Sequence, residues 1–319
     1  MDSGSALRAF KKAAVFAIVA VAIFIAVRGA RRVDWADVLS ALRDYDLATL
    51  GAALALVIAG HLACACFDLI GRQATRHRIP VPRVMLISLT GYNFSLNLGA
   101  LIGGLAFRYR LYAPYGLATM TIAQIIALSV LTNWSGFVLL AGLVFAFEPP
   151  VLPSGWGPGS TVLRGVGIML LSVTASYLIL CGAKGGKLVS WKGSVMRLPT
   201  LRVAAVQFAL SIWSWAVIGA LIAWLLPRDV GWLTVMPVLM LSAIAGVWSH
   251  IPGGLGIVEV VFVTLLGQRV DSSALLAALL AFRFVYYLAP FLIALGAYAY
   301  LETTAGRTAR TCTASKGNS

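Results

Sequence analysis

Residues 249–261 read SHIPGGLGIVEVV, a histidine, a proline, three glycines and a carboxylate set between two apolar runs. Pro252 has no backbone N–H and disfavours helix at Ile251, while the glycines permit positive φ and close approach of another group. Inside hydrocarbon every unsatisfied backbone group costs several kcal/mol, so such a break is tolerated only where protein or a watery cavity surrounds it. A helix that restarts near Gly254 would point free N–H groups and the positive end of its dipole at the break. That makes Gly253, Gly254 and Gly256 a candidate anion site, with close glycine-mediated helix packing as the alternative.

The surroundings justify speaking of a membrane. Of 319 residues 60% are hydrophobic and 11% charged, and apolar runs occur at 13–27, 48–70, 118–147, 163–181, 203–226 and 274–300. A crossing needs about 20 residues, so six full transmembrane helices are expected in an all-α polytopic protein. Two further apolar regions, 82–107 and 232–267, are interrupted by glycines and polar residues. The net charge of +14 resides in short loops and tails, with no basic stripe interleaved with aromatics, so nucleic acid is not an expected partner. Basic loops beside apolar spans suit membrane orientation and anionic phospholipid headgroups. The cysteine pair CAC at 64–66 fits no metal or redox spacing, and no metal, cofactor or catalytic residue is expected. The first run resembles a signal peptide, but Arg28, Arg31 and Arg32 after it argue against cleavage.

Loop charge sets the orientation. Arg72, Arg76, Arg78 and Arg83 follow the second run, Lys184, Lys187, Lys192, Arg197 and Arg202 follow the fourth, and Arg307, Arg310 and Lys316 lie in the tail. All three regions are expected to be cytoplasmic, as are both termini. The loop at 147–161 lacks basic residues, and the first loop carries Asp34, Asp37, Asp44 and Asp46, so both are expected outside. It follows that 82–117 enters from and returns to the cytoplasm, and that 230–271 does the same from the outside. Residues 48–147 and 203–300 then form two units of one transmembrane domain, residues 1–301, followed by a tail at 302–319. The span at 163–181 turns the second unit over. That is an inverted-topology repeat, whose two re-entrant elements would meet near the midplane. Two short tilted crossings would satisfy the same parity. A shift of 151 pairs Gly103 with Gly254, Arg108 with Glu259, Gly116 with Gly267 and Thr121 with Ser272.

Charged and polar side chains at membrane depth are the candidate functional residues. Arg283 lies within the last apolar run, and pairing with Glu259 would relieve both, as a structural staple or as part of a headgroup or proton pathway. His250 beside the break titrates near neutral pH, although a lone histidine is more often structural. Asn93, Ser95 and Asn97 recur at every second residue, a pattern that suggests local unwinding or a cavity lining. Arg108 and Arg110 would hold a phosphate at a cytoplasmic mouth or simply anchor the helix. Asn133, with Gln124 and Thr132, reads as interhelical hydrogen bonding. Tyr287 beside Arg283 completes the candidate set. The DYD at 44–46 would suit a membrane-embedded glycosyltransferase, but VDWADVLSALRDY also reads as an interfacial amphipathic helix.

The strings TGYNFSLNLGALIGGLAFRYRLYAPYGL, LTNWSGFVLLAG, SAIAGVWSHIPGGLGIVEVVFVTLLG and LLAFRFVYYLAPFLIALGAY together resemble the YbhN branch of the lysylphosphatidylglycerol synthase/flippase-like integral membrane family. The resemblance covers nearly the whole chain. It implies a bacterial inner-membrane protein related to the flippase portion of multiple peptide resistance factors, which move aminoacylated phosphatidylglycerol between leaflets. Full-length aminoacylating members carry a large soluble domain after the spans, whereas about 18 residues follow the last span here, so lipid synthesis by this chain alone is not expected. The resulting expectation is a lipid flippase or transporter acting on phospholipids, with a homo-oligomer or a lipid-modifying enzyme as possible partners. The alternative is an accessory or scaffold subunit for such an enzyme. No nucleotide-binding motif is present, so energy would come from a gradient, a partner or consumption of the lipid.

Overall fold

The computed structural model describes residues 45–316 together with Ala36, Ser40 and Arg43, apart from 151, 153–158, 192–193 and 250. The expected span at 13–27, His250 and most of the first acidic loop lie outside the described residues. Helix α1 (Leu47–Ala65) runs into α2 (Phe67–Thr75) across a kink at Cys66. Then come α3 (Val81–Leu98), a π-helical segment at Ala100–Ala106, and α4 (Phe107–Tyr112). Helices α5 (Thr119–Phe147) and α6 (Ser160–Lys184) follow, then an antiparallel pair of short strands, β1 (Leu188–Trp191) and β2 (Ser194–Arg197), with Leu188 opposite Arg197. The second half contains α7 (Leu201–Leu225), α8 (Trp232–Ser249), a short 3₁₀ turn at Pro252–Gly254 and α9 (Ile257–Leu266). Helix α10 (Ser272–Phe282), a π-helical turn at Arg283–Leu288 and α11 (Ala289–Lys316) complete it.

Among the described residues six helical segments are long and apolar enough to cross a bilayer: Leu47–Thr75, Thr119–Phe147, Ser160–Lys184, Leu201–Leu225, Trp232–Ser249 and Ser272–Thr304. Five coincide with expected spans. The sixth, Trp232–Ser249, belongs to the second interrupted region, which therefore contains one arm of full spanning length. Leu54, Ile58 and Leu62 on α1 and Ile168, Met169, Val173 and Ile179 on α6 are exposed, as suits side chains that meet lipid. The protein is an all-α polytopic membrane protein with one short β-hairpin in a connecting loop.

Both interrupted regions are helical hairpins. The first reverses at Gly99, whose φ of 86° and ψ of 159° suit a residue without Cβ. The returning π-helical segment then lies directly on α3, where a Cβ at Gly103 would collide with the Phe94 carbonyl. The second reverses between Ser249 and Ile257, with Gly253, Gly254 and Gly256 all at positive φ, and α9 packs back on α8. The expected unwinding around Asn93 is absent, because α3 stays helical through Leu98. Asn93 and Asn97 share a face at i and i+4, while Ser95 turns toward Gly104 on the returning arm.

Each hairpin has its own apolar core. Val235, Met236, Met240, Phe262 and Leu266 anchor the larger cluster around α8 and α9, whereas Val84, Ile87, Leu111 and Tyr112 anchor a second around α3 and α4. Between them lies a small cluster of Cys64, Phe67 and Tyr92. Helix starts are fixed by capping. Asp46 accepts from Thr49 N–H at 2.8 Å, and Asp271 accepts from the backbone N–H groups of Ser273 and Ala274.

Two expectations follow. Gly103→Ala should prevent closure of the first hairpin and destabilise the protein by about 1–3 kcal/mol or more, whereas Gly51→Ala, where a Cβ meets nothing within 4 Å, should not. Thermal unfolding of both variants in detergent measures the contrast. Hydrogen bonds from Thr49, its side chain first, hold the Asp46 carboxyl below the ordinary carboxylate range, and the Ser273 side chain does the same for Asp271. Both caps therefore contribute above the unfolded value of about 3.9 and are lost as pH falls through the lower folded value. Protection of the Thr49 and Ala274 amides, measured against their intrinsic exchange rates, should fall on such acidification and hold above it.

Candidate functional site

The two hairpin tips meet. The 3₁₀ turn at Pro252–Gly254 packs on α3, where a Cβ on Gly253 would stand 3.2 Å from the Leu96 carbonyl oxygen. Beside this junction the last span departs from α-helix into its π-helical turn, a feature often found at functional sites. That turn carries Arg283, Tyr286 and Tyr287.

Arg283 is held from three directions. Its Nε donates to Glu259 Oε1 and its Nη2 to Glu259 Oε2 at 3.0 Å, which makes a two-pronged ion pair. Nη1 donates to the Gly253 carbonyl at 3.0 Å and Nη2 to the Gly254 carbonyl at 2.9 Å. The Tyr287 ring centroid lies 5.5 Å from the guanidinium carbon. The side chains of Arg283 and Glu259 keep 14% and 18% of their exposure, so the pair is largely but not wholly enclosed. The structure thus brings Gly253, Gly254, Glu259, Arg283 and Tyr287 together. The glycine break, however, works opposite to the expected anion cradle. It offers carbonyl oxygens to a cation, and the Gly254 N–H is taken by the Ile251 carbonyl at 3.0 Å. Gly256 caps α9, and Glu259 in its first turn answers the positive end of the helix dipole.

Asn97 joins this group to the first hairpin. Its Nδ2 donates to the Asn93 carbonyl at 2.9 Å and to the Tyr287 carbonyl at 3.3 Å. Below it a polar seam continues through the protein interior. Asn93 Oδ1 lies 3.2 Å from His61 Nε2, the Tyr92 and Tyr286 hydroxyls are 2.9 Å apart, and Cys64 Sγ lies 3.3 Å from Ser214 Oγ. Four spans contribute to this seam. Of its members only Asn93 and Asn97 were singled out from the sequence, as a candidate cavity lining.

A second ion pair closes the other end. Arg108 is 5% exposed, with Nη1 3.2 Å from Asp68 Oδ1 and 2.7 Å from Ser129 Oγ. Tyr112 donates to Asp68 Oδ2 at 2.9 Å. Gly91 makes room, since a Cβ there would collide with the Arg108 side chain. Arg108 is therefore not a phosphate collector at a surface mouth, as expected from the sequence, because its charge is spent on a fully buried carboxylate. Arg110 does face outward and bonds Glu302, with Nε 2.6 Å from Oε1. Asn133 serves through its backbone, where its carbonyl accepts from Ser211 Oγ at 2.6 Å and Trp215 Nε1 at 3.1 Å. It joins α5 to α7 and lies apart from the hairpin tips. Gln207 strengthens that contact by donating to Thr132 Oγ1 at 3.1 Å and accepting from Tyr177. Among the described residues no cluster of three histidine, cysteine or acidic side chains is placed to hold a metal. A cavity of about 460 Å³ lined by Gln73, Arg76, Pro199 and Thr200 touches neither ion pair.

Paired hairpins around buried ion pairs define a multi-pass membrane protein with a polar interior. Residues 13–294 match the family described as lysylphosphatidylglycerol synthase TM region, and the chain belongs to that family. It is 40% identical to inner membrane protein YbhN of Escherichia coli strain K12 over 299 residues, 93% of this chain and 94% of that protein. An uncharacterized Synechocystis protein is 28% identical over 84% of this chain and 85% of its own length. A phosphatidylglycerol lysyltransferase of Staphylococcus haemolyticus is 26% identical over 72% of this chain but 26% of its own length.

The Asp68–Arg108 pair gives a quantitative test. Removing one partner of a buried pair leaves an uncompensated charge and costs about 3–5 kcal/mol, while removing both is much milder. Asp68→Asn or Arg108→Gln alone should therefore unfold more readily than the double variant, as read by thermal unfolding of the purified proteins.

Proposed function

We propose that the protein moves the headgroup of a phospholipid across a bacterial inner membrane, with the acyl chains remaining in the bilayer. The observation that carries this reading is the meeting of the two hairpin tips around Arg283. A guanidinium held by a carboxylate and two carbonyls can exchange the carboxylate for a headgroup phosphate without losing its bidentate geometry. Glu259 released in this way would then couple occupancy of the site to movement of α9. Arg110, exposed and paired with Glu302, remains suited to a first contact with an anionic headgroup.

In this reading the hairpins are the re-entrant elements of an inverted repeat formed by residues 48–147 and 203–300, with both termini cytoplasmic. Its support is a crossed packing. Helix α11 from the second unit lies against α3 of the first hairpin, α5 from the first unit touches α8 of the second, and α1 packs along α7. Membership of the family and the name of the Staphylococcus haemolyticus relative favour a lipid as the cargo. The seating of Asp46 as a helix cap disfavours a glycosyltransferase built on the DYD motif.

The test is reconstitution of the purified protein into liposomes carrying headgroup-labelled phosphatidylglycerol or phosphatidylethanolamine, scored for loss of leaflet asymmetry. Wild type should move lipid. Arg283→Gln and Glu259→Gln should each slow it about tenfold or more, equivalent to ~1.4 kcal/mol on the barrier, while Asp46→Asn should leave it near the wild-type rate. Absence of movement by wild type with either lipid would overturn the reading in favour of an accessory subunit.

A further inference from the structure

The ring of His61, buried on α1, stands between two acceptors. Nδ1 lies 3.0 Å from the Val57 carbonyl oxygen, and Nε2 lies 3.2 Å from Asn93 Oδ1 on α3. The Asn93 amide is fixed in that orientation, because its Nδ2 donates to the Leu89 carbonyl at 2.9 Å and a flip would set oxygen against oxygen. A ring nitrogen that faces an oxygen acceptor needs a proton. A neutral imidazole has one, so both contacts are hydrogen bonds at once only when the ring carries a second proton.

No carboxylate reaches that ring among the described residues. The titratable groups around it are Cys64 on α1, Tyr92 on α3 and Tyr286 on the π-helical turn of the last span. Helix α7 contributes Ser214 and Val217 there, and its only charged residue, Arg202, sits at its start. The Tyr286 and Tyr92 rings approach the His61 ring at centroid distances of 4.9 and 5.8 Å in edge-to-face geometry. Gly60 lets this group close up, since a Cβ there would press on Val217 at 3.2 Å. Burial works against the charge and the two fixed acceptors work for it. The balance therefore depends on where Asn93 is.

We propose that His61 is a proton-binding site whose protonation holds the first hairpin closed, an inference that rests on the transport reading above. Asn93 belongs to the first hairpin, which Asn97 ties to the last span at the Tyr287 carbonyl. When that hairpin withdraws to open the site, Asn93 leaves with it and the Nε2 proton loses its acceptor. The proton passes to entering water as hydronium, leaving a neutral ring with Nδ1–H on the Val57 carbonyl. Closure requires a proton to return. One proton is thus exchanged for each opening and closing, and the chain needs no nucleotide for the step.

The test reads the proton and the lipid separately. Nitrogen NMR of histidine-labelled protein in nanodiscs, with His61 assigned from the shared spectrum of its three histidines by H61Q and by an H77Q/H250Q variant, should show two protonated ring nitrogens near neutral pH. Asn93→Leu should convert that signal to a neutral ring. A bare ring nitrogen on wild-type His61 throughout about pH 6–8 would overturn the proposal. In liposomes, wild-type lipid movement should change rate with an imposed pH difference, and H61Q should lose that response. Lipid movement that ignores the pH difference would sink the coupling and leave the transport reading standing. A clear imidazolium with no lipid movement would sink the transport reading and leave the proton site.

Discussion

A guanidinium within the membrane has no water to fall back on, so the chain around Arg283 must supply what water would. It does so with a carboxylate and two carbonyl oxygens, and each imposes a demand on the backbone. Turning the Gly253 and Gly254 carbonyls toward one point takes positive φ at both residues, which only glycine adopts without strain. Placing Glu259 opposite takes a helix that restarts immediately after the turn. Bringing Arg283 inward from a long span coincides with a π-helical turn, which also aims Tyr286 and Tyr287 at the interior. The break that disrupts one helix and the bulge that distorts another are two sides of one arrangement.

The Asp68–Arg108 pair repeats the solution with the charges exchanged. Each hairpin's returning arm carries an enclosed charged residue, Arg108 or Glu259, and each meets its opposite on a long span. Between the pairs runs a seam of polar groups whose members bond mostly to one another. An apolar core on either side confines that seam. The larger apolar core also joins the two halves, since Val57 and Phe137 of the first pack in it with Leu221 and Phe262 of the second.

Much of this was legible in the sequence for simple physical reasons. Arg283 sits deep in an apolar run, acids are scarce in the chain, and Glu259 lies beside a glycine break, so few partners were available to it. Loop charge pointed to an even number of passes in each interrupted region, which a hairpin or two short crossings would satisfy alike. Asp68 lies near the end of the expected 48–70 span, beside the basic residues that follow it, and was not picked out as a buried charge. Arg108 and Arg110 were misjudged as a pair. Residues two apart on a helix do not face the same way, and here one points into the protein while the other points out. The histidine and tyrosines of the central seam could not be found at all, since their roles depend on four spans converging and no local pattern records that.

Helix α6 stands apart from these arrangements. It packs along α5 and only lightly on α7, and a face of Ile168, Met169, Val173 and Ile179 is left to its surroundings. Its 25 residues span about 37 Å, more than the ~30 Å of a typical hydrocarbon layer. Such a helix must lean or protrude, and among the described residues its one extensive neighbour is α5. Because α6 continues through the short β-hairpin into α7, bilayer thickness has a direct mechanical line to the helix that packs against α1.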